Sequence, residues 1–406
     1  MFSIAVIGFG ARASDMARRL LEIAADVQLG AIADPDRAKV QLALKKHDIG
    51  HENTRFFDSV EQLLESGANY DGFIIGTRCH LHTPIAVQLA PLGKPIFLEK
   101  PVAITWEQLC ELEQAYRGRE DSVVVSFPLR LTPLLETVQQ ILRSGRLGTI
   151  NQIQARNNIN YGYVYFGQWY RNYEQVGGLW LQKATHDLDY INALVGARPQ
   201  TIAAMSNRMA MGGDMPFDLK CSQCSQIETC LQSPERIEVR NDQDAPGWKD
   251  HHCHFSQGIE NQDSGSALVQ YANGVHVSYS QNFLGRRTAE RRGATIIGYD
   301  GTLDFDWYTR NIRVWDHHQD RVDDIQVKES SGGHGGGDDV LLKDFAGLVH
   351  GEKSSLASLD AGILSAAMCL AARTSCQHQT MEAIRLPGEE SWVPKRPVCT
   401  QIEPSV

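Results

Sequence analysis

Phe2-Ser3-Ile4-Ala5-Val6-Ile7-Gly8-Phe9-Gly10-Ala11-Arg12-Ala13 reads as a strand, a glycine turn and the opening of a helix. Its first six residues form the short apolar run of a strand buried on both faces of a parallel sheet. A helical pattern follows the turn as far as Ala25. Gly8 suits a tight turn and Gly10 lets backbone approach a pyrophosphate, with Ala13 where a third glycine often stands; the helix N-terminus faces that charge. A second strand, Gln28 to Ala33, ends in Asp34, the roughly twenty-odd residues on at which such turns place a ribose-binding carboxylate. A carboxylate there favours NAD and repels the 2′-phosphate of NADP, although Arg12 and Arg37 are cations able to hold a phosphate. The turn thus assigns Gly8, Phe9, Gly10, Ala11, Arg12, Asp34 and Arg37 to a dinucleotide.

The alternation continues. Helices over Pro35 to His47, Ser59 to Ser66 and Pro84 to Leu92 separate strands at Arg55–Phe57, Gly72–Ile75 and Ile96–Leu98. Strands spaced by such helices predict a doubly wound parallel sheet. The loop Gly76 to Pro84 leaves the carboxyl end of a strand, so Thr77, His80 and His82 border the nicotinamide side of the cofactor. Loop histidines in such places pack or hydrogen-bond more commonly than they catalyse. Ile96-Phe97-Leu98 runs into Glu99-Lys100-Pro101. Pro101 keeps Lys100 extended and out of the next helix. An ammonium is thereby held at the carboxyl edge of the sheet, where open α/β folds bind ligands, with Glu99 beside it.

Composition narrows the function classes. The chain has 406 residues, enough for two domains, with 42% hydrophobic and 22% charged residues as in ordinary globular proteins. A net charge of −10 argues against nucleic acid as partner. No apolar run approaches a membrane span and no signal peptide precedes the first strand, so the expectation is a cytoplasmic protein. Nine cysteines, an odd number, do not suggest a disulfide framework.

Beyond Arg130 the pattern changes. A helix over Pro133 to Arg143 precedes a long strand, Ile150 to Ile159, and then an aromatic loop from Tyr161 to Tyr173. Tyr161, Tyr163, Tyr165, Trp169 and Tyr170, with Arg171 and Asn172, can form a carbohydrate wall of ring faces and polar tips; equally, the loop can pack on the sheet. In Gly177-Gly178…Gln182-Lys183…His186-Asp187, Thr185 reads as the N-cap of a helix, with Lys183 and His186 near its start and Asp187 in its first turn. Cys221, Cys224, Cys230 and Cys253 fall in an insertion-like segment, residues 212–262. Four thiolates suit a structural zinc, with His251, His252 or His254 as substitutes; an iron–sulfur cluster and unliganded thiols remain alternatives. Hairpins follow from Ala267 to Gln281 and around Asp300-Gly301. His334, in a glycine-rich loop before a helix at Val340, can fold over a sugar. Residues 386–406, with four prolines, read as an extended tail able to embrace a second subunit.

Gly8-Phe9-Gly10, Ala33-Asp34-Pro35, Thr83-Pro84…Gly93-Lys94-Pro95…Glu99-Lys100-Pro101, Arg130…Pro133, Gly145…Gly148 and Gly177-Gly178…His186-Asp187 together resemble the Gfo/Idh/MocA oxidoreductases. The resemblance covers residues 1 to about 370. It implies a Rossmann domain (1–125) followed by an α+β domain with a large, mostly antiparallel sheet (126–385), holding NAD, or less readily NADP. It implies hydride transfer at a secondary hydroxyl of a sugar, polyol or derivative, in a homo-oligomer of two or four copies. The family lysine maps onto Lys100. His186 becomes the acid/base, with Lys183 and Lys100 polarising the reacting oxygen, and which of the three moves the proton stays open. Where many relatives carry aspartate, this chain has Gln182, which removes a carboxylate able to orient the histidine. Tyr163, Trp169, Arg171, Asn172, Asp187 and His334 are the expected substrate contacts. Two rival readings use the same residues: a redox-neutral glycosidase with transient oxidation, and a non-catalytic cofactor sensor.

Overall fold

The computed structural model describes residues 1–234, 236, 250–328, 333–352 and 355–389. Strands β1 (Phe2–Ile7), β2 (Val27–Ala33), β3 (Arg55–Phe57), β4 (Gly72–Ile75), β5 (Ile96–Leu98) and β6 (Val123–Val125) make one sheet in the order β3-β2-β1-β4-β5-β6. All its pairings are parallel. Helices α1 (Ala11–Ile23), α2 (Arg37–Lys46), α3 (Val60–Glu65), α4 (Cys79–Leu89) and α5 (Trp106–Tyr116) connect the strands. Every residue of β4, β5 and β6 is buried, which is why these strands read as unbroken apolar runs. Short polar side chains set the helix starts: Asp36, Ser59 and Thr105 each accept a backbone N–H three residues on. The strand order reverses between β1 and β4, so their carboxyl ends open the crevice into which such a sheet receives ligands.

The second sheet comprises β7 (Ile150–Asn158), β8 (Pro199–Asn207), β9 (Ser264–Tyr271), β10 (His276–Asn282), β11 (Arg291–Gly298), β12 (Gly301–Asp306), β13 (Asn311–Asp316), β14 (Val322–Gln326) and β15 (Met381–Ala383). Their order is β14-β13-β12-β11-β7-β10-β9-β8-β15, antiparallel except where β10 meets β7. Helices α6 (Pro133–Arg143), α7 (Thr185–Val195), α8 (Gly337–Val349) and α9 (Leu359–His378) complete the second half, apart from single turns. α9 packs on β8 and α7 and also touches α5 and β6, joining the two sheets. α8 returns to the first sheet. It packs on α1, and a Cβ added to Gly72 of β4 would lie 2.8 Å from Val349 and 3.0 Å from Phe345.

The expected two-sheet α/β architecture is present, with one local correction. Thr185 does not cap a helix: a π turn over Trp180–Ala184 runs directly into α7, and the Thr185 hydroxyl pairs with Ser365 at 3.0 Å. Among the described residues, no helix is long and apolar enough to cross a membrane. Most of the predicted tail, 390–406, and residues 235 and 237–249 of the insertion lie outside the described residues.

Candidate active site

Gly8, at the end of β1, has φ +78°, and a Cβ there would lie 2.7 Å from the Thr77 side chain and 2.8 Å from its backbone. Only glycine lets the β1 and β4 loops meet so closely. Gly10 precedes α1 with no side-chain cap, and a Cβ added to it would meet nothing within 4 Å. The first amides of α1 thus open onto free space, as a pyrophosphate needs. The Asp34 carboxylate accepts the Phe9 and Asp36 amides, both at 2.8 Å, which fixes the turn against the end of β2. These residues fit a dinucleotide.

Arg12 departs from expectation. Its guanidinium donates to Glu99 at 2.9 Å, to both Asp338 oxygens at 2.7 and 2.6 Å, and to Ser126 at 3.2 Å. It clamps α1 to the end of β5 and to α8, while Arg12 and Glu99 both line the cavity that begins at Gly10. Arg37 lies over the Phe56 ring at 4.9 Å and donates to the Phe56 carbonyl.

A cavity of about 300 Å³ runs from Gly10, Ala11 and Thr77 to Lys100, Lys183 and His186. The Lys100 ammonium donates to the Gln182 carbonyl at 2.8 Å; burial, then repulsion from Lys183, brings it down to about 8. Lys183, only 5% exposed, donates to the Tyr161 hydroxyl. Burial first and Arg292 second bring Lys183 to about 7. Burial, joined by Lys100 and Arg292, holds His186 well below the usual histidine range, and its Nδ1 is buried with no hydrogen-bond partner among the described residues. Two amines and a neutral imidazole therefore converge where a hydroxyl proton could be taken up. The Gln182 side chain accepts from Cys79 at 3.2 Å, so this position steadies the β4 loop and not the histidine.

The remaining assignments separate. His334, in a left-handed conformation at φ 47°, lines the cavity and meets Asp338 through Nδ1 at 3.0 Å. Trp169 lines it too, stacked on Tyr170 at 4.0 Å with Arg78 over its ring at 3.9 Å. His82 lines the cavity with its ring nitrogens 2.8 Å from the Pro101 carbonyl and 3.2 Å from the Thr77 carbonyl; burial lowers its pKa, so the neutral ring donates to one of the two. His80 does not line the cavity. Nor do Tyr163, Arg171, Asn172 and Asp187. Tyr163 is packed with Tyr161 and Val164, Arg171 turns to Ser256 and Phe217, and Asn172 precedes a single helical turn. Asp187 is fully buried beneath the site, accepting from Arg292 at 2.9 Å, Asn157 at 2.6 Å and Tyr279 at 2.9 Å. Tyr161, Tyr165 and Tyr170 of the aromatic wall line the cavity, as do Arg78 and Ser126, which the sequence reading did not assign. The segment after β4 carried a signal for Arg78; Ser126 carried none.

The expected zinc site is not formed. Lys220 and His252 pair as an antiparallel bridge beside Cys221 and Cys253, and Cys221 lies 3.6 Å from the His251 ring. Burial and the neighbouring thiols Cys253, Cys230 and Cys224 push Cys221 up to about 12. Among the described residues, however, no group of three or more His, Cys, Asp or Glu side chains converges as metal ligands.

Residues 2–127 match the family described as "Oxidoreductase family, NAD-binding Rossmann fold", and residues 139–384 match its "C-terminal alpha/beta domain". The Bacillus subtilis protein YteT, named as an oxidoreductase, is 24% identical over 381 residues, covering 85% of this chain and 88% of its own. The Escherichia coli 2,7-anhydro-N-acetylneuraminate hydratase is 22% identical over 52% of this chain and 55% of its own. The solved levoglucosan dehydrogenase complex with NADH and levoglucosan shares the fold at TM-score 0.73 and 16% identity, covering 94% of this chain and 99% of that one.

Proposed function

The chain belongs to the Gfo/Idh/MocA oxidoreductase family, and from that premise we propose that it moves hydride between a nicotinamide cofactor and a secondary hydroxyl of a sugar, polyol or sugar derivative. The observation that carries this reading is the meeting of the open glycine turn with Lys100, Lys183 and His186 in one cavity. Gly8, Gly10 and the α1 amides would hold the pyrophosphate and Asp34 a ribose hydroxyl. The engagement of Arg12 with Glu99 and Asp338 supports NAD over NADP. The nicotinamide, when bound, accepts or returns hydride. Lys183, at about 7, takes the hydroxyl proton as a neutral amine and keeps it as an ammonium, held in place by its hydrogen bond to the Tyr161 hydroxyl. Lys100 stabilises the developing alkoxide, and neutral His186 donates or accepts a hydrogen bond at the same oxygen.

The levoglucosan dehydrogenase named above supports a sugar substrate by analogy of fold. The hydratase among the relatives favours a second reading, a redox-neutral cycle in which hydride returns after elimination. Absorbance at 340 nm with product analysis separates them, using NAD and a panel of sugars, polyols and glycosides. Net NADH supports the dehydrogenase; substrate loss without net NADH supports the cycle. NAD binding with no turnover of any kind would overturn both in favour of a sensor. The reading extends to a homo-oligomer, supported by the outward face of the second sheet, where Met205 and Leu268 are 80% and 60% exposed.

A further inference from the structure

Beside the cavity of the two lysines lies another of about 400 Å³, and Tyr161 and His334 stand in the walls of both. Arg292, Arg310 and Lys328 line it; among the described residues, no carboxylate does. That excess of cations sits in a chain whose net charge is −10, so it is local and not a reflection of composition. Arg292 is the telling member. Its side chain is only 10% exposed, Nε donates to Asp187 at 2.9 Å, and Nη2 is buried with no hydrogen-bond partner among the described residues. Asp187 cannot turn towards that nitrogen, because Asn157 and Tyr279 hold its other oxygen. A buried donor left unmatched is costly, the more so on a charged group, and that cost vanishes when a ligand supplies an acceptor. Among the described residues the lysines next door have no carboxylate partner either, resting on the Gln182 carbonyl and the Tyr161 hydroxyl. Trp307 and Tyr308 add aromatic wall to the same cavity, suited to the C–H face of a sugar ring.

We infer that the substrate is an anionic sugar, whose carboxylate or phosphate is received by Arg292 with Arg310 and Lys328 while its reacting hydroxyl lies at Lys183 and Lys100. The inference rests on the proposed sugar chemistry and narrows it to one class. Charge-assisted hydrogen bonds are about twice as strong as neutral ones, which makes the anion the main determinant of affinity.

The test is calorimetric binding of D-glucuronate, D-galacturonate and D-glucose 6-phosphate to the NAD-loaded protein, each against its neutral parent sugar. At least one anionic sugar binds about tenfold more tightly than its parent, and whether uronate or phosphate ester does so identifies the anion. Lys328→Ala, at an exposed position, and Arg292→Lys, which keeps the charge beside Asp187, each lower the anionic-to-neutral affinity ratio several-fold. Equal affinity for every acidic and neutral pair, or ratios unchanged in both variants, overturns the inference. NADH formation from neutral sugars with no acidic preference defeats this inference alone. Tight uronate binding without any hydride transfer defeats the dehydrogenase reading alone.

Discussion

Lys100 and Lys183 are ammonium groups placed where water cannot stabilise their charge, and their chemistry follows from that. A neutral Lys183 is the base for alcohol oxidation and a charged Lys100 steadies the alkoxide, so kcat/KM for oxidation rises with pH through about 7 and falls again above about 8, while the reverse reduction falls as pH passes about 7. A pH–rate profile in both directions checks this; a flat profile there excludes a lysine base. Lys100→Ala lowers kcat roughly 10²–10⁴-fold while calorimetry still finds NAD bound. The stability effect has a definite sign. Lys183 is lowered from 10.5 to about 7, so between those values the unfolded chain binds a proton that the folded chain has released, and stability rises with pH across that window. Lys183→Met therefore raises stability at pH 7 by about 1–2 kcal/mol, measured by urea unfolding, as activity is lost. Lys100 was legible in the sequence because Pro101 dictates its backbone. Asp187 was misread because its neighbour His186 faces the cavity while Asp187 turns beneath it, and the inserted π turn resets the helical phase that a sequence pattern assumes. Arg292 was invisible, since its role depends on a partner 105 residues away.

At the scale of elements, the glycine turn was the most legible feature because its requirements are local: Gly8 needs φ +78° and no side chain against Thr77. Gly8→Ala prises β1 from the β4 loop, and fluorescence titration then shows NADH binding weakened at least about tenfold, as expected for strain of roughly 1–3 kcal/mol. The clamp of Arg12 with Asp338 was not legible, since 326 residues separate the partners and an arginine in a glycine turn equally suits a phosphate. Asp338 is fully buried whereas the Arg12 side chain is 31% exposed. Asp338→Asn thus costs about 2 kcal/mol, short of the 3–5 kcal/mol of a fully buried pair. Thermal unfolding checks this, and the variant also frees His334 from its carboxylate, so KM for substrate rises with it.

At the scale of the molecule, the alternation of strands and helices announced the first sheet, while β8 and β15 of the second passed unread. β15 is three residues long, and β8 carries Ala203 and Met205 on an outward face with none of the polar alternation by which a half-exposed strand is recognised. The same face supplies a test of assembly: light scattering finds a dimer or tetramer, and Leu268→Glu shifts it towards monomer. A monomeric wild type would leave the open sheet to another partner. The return of α8 to the first sheet has a consequence for how the protein is made. Phe345 and Val349 close against β4, and α1 waits for them, yet they leave the ribosome more than 200 residues after β6. At 5–20 residues per second the apolar flank of the nascent Rossmann half stays bare for roughly 10–45 s. Vectorial synthesis therefore leaves a long-lived apolar surface on the nascent chain, and an N-terminal fragment released at residue 130 would aggregate instead of persisting as a free cofactor-binding unit.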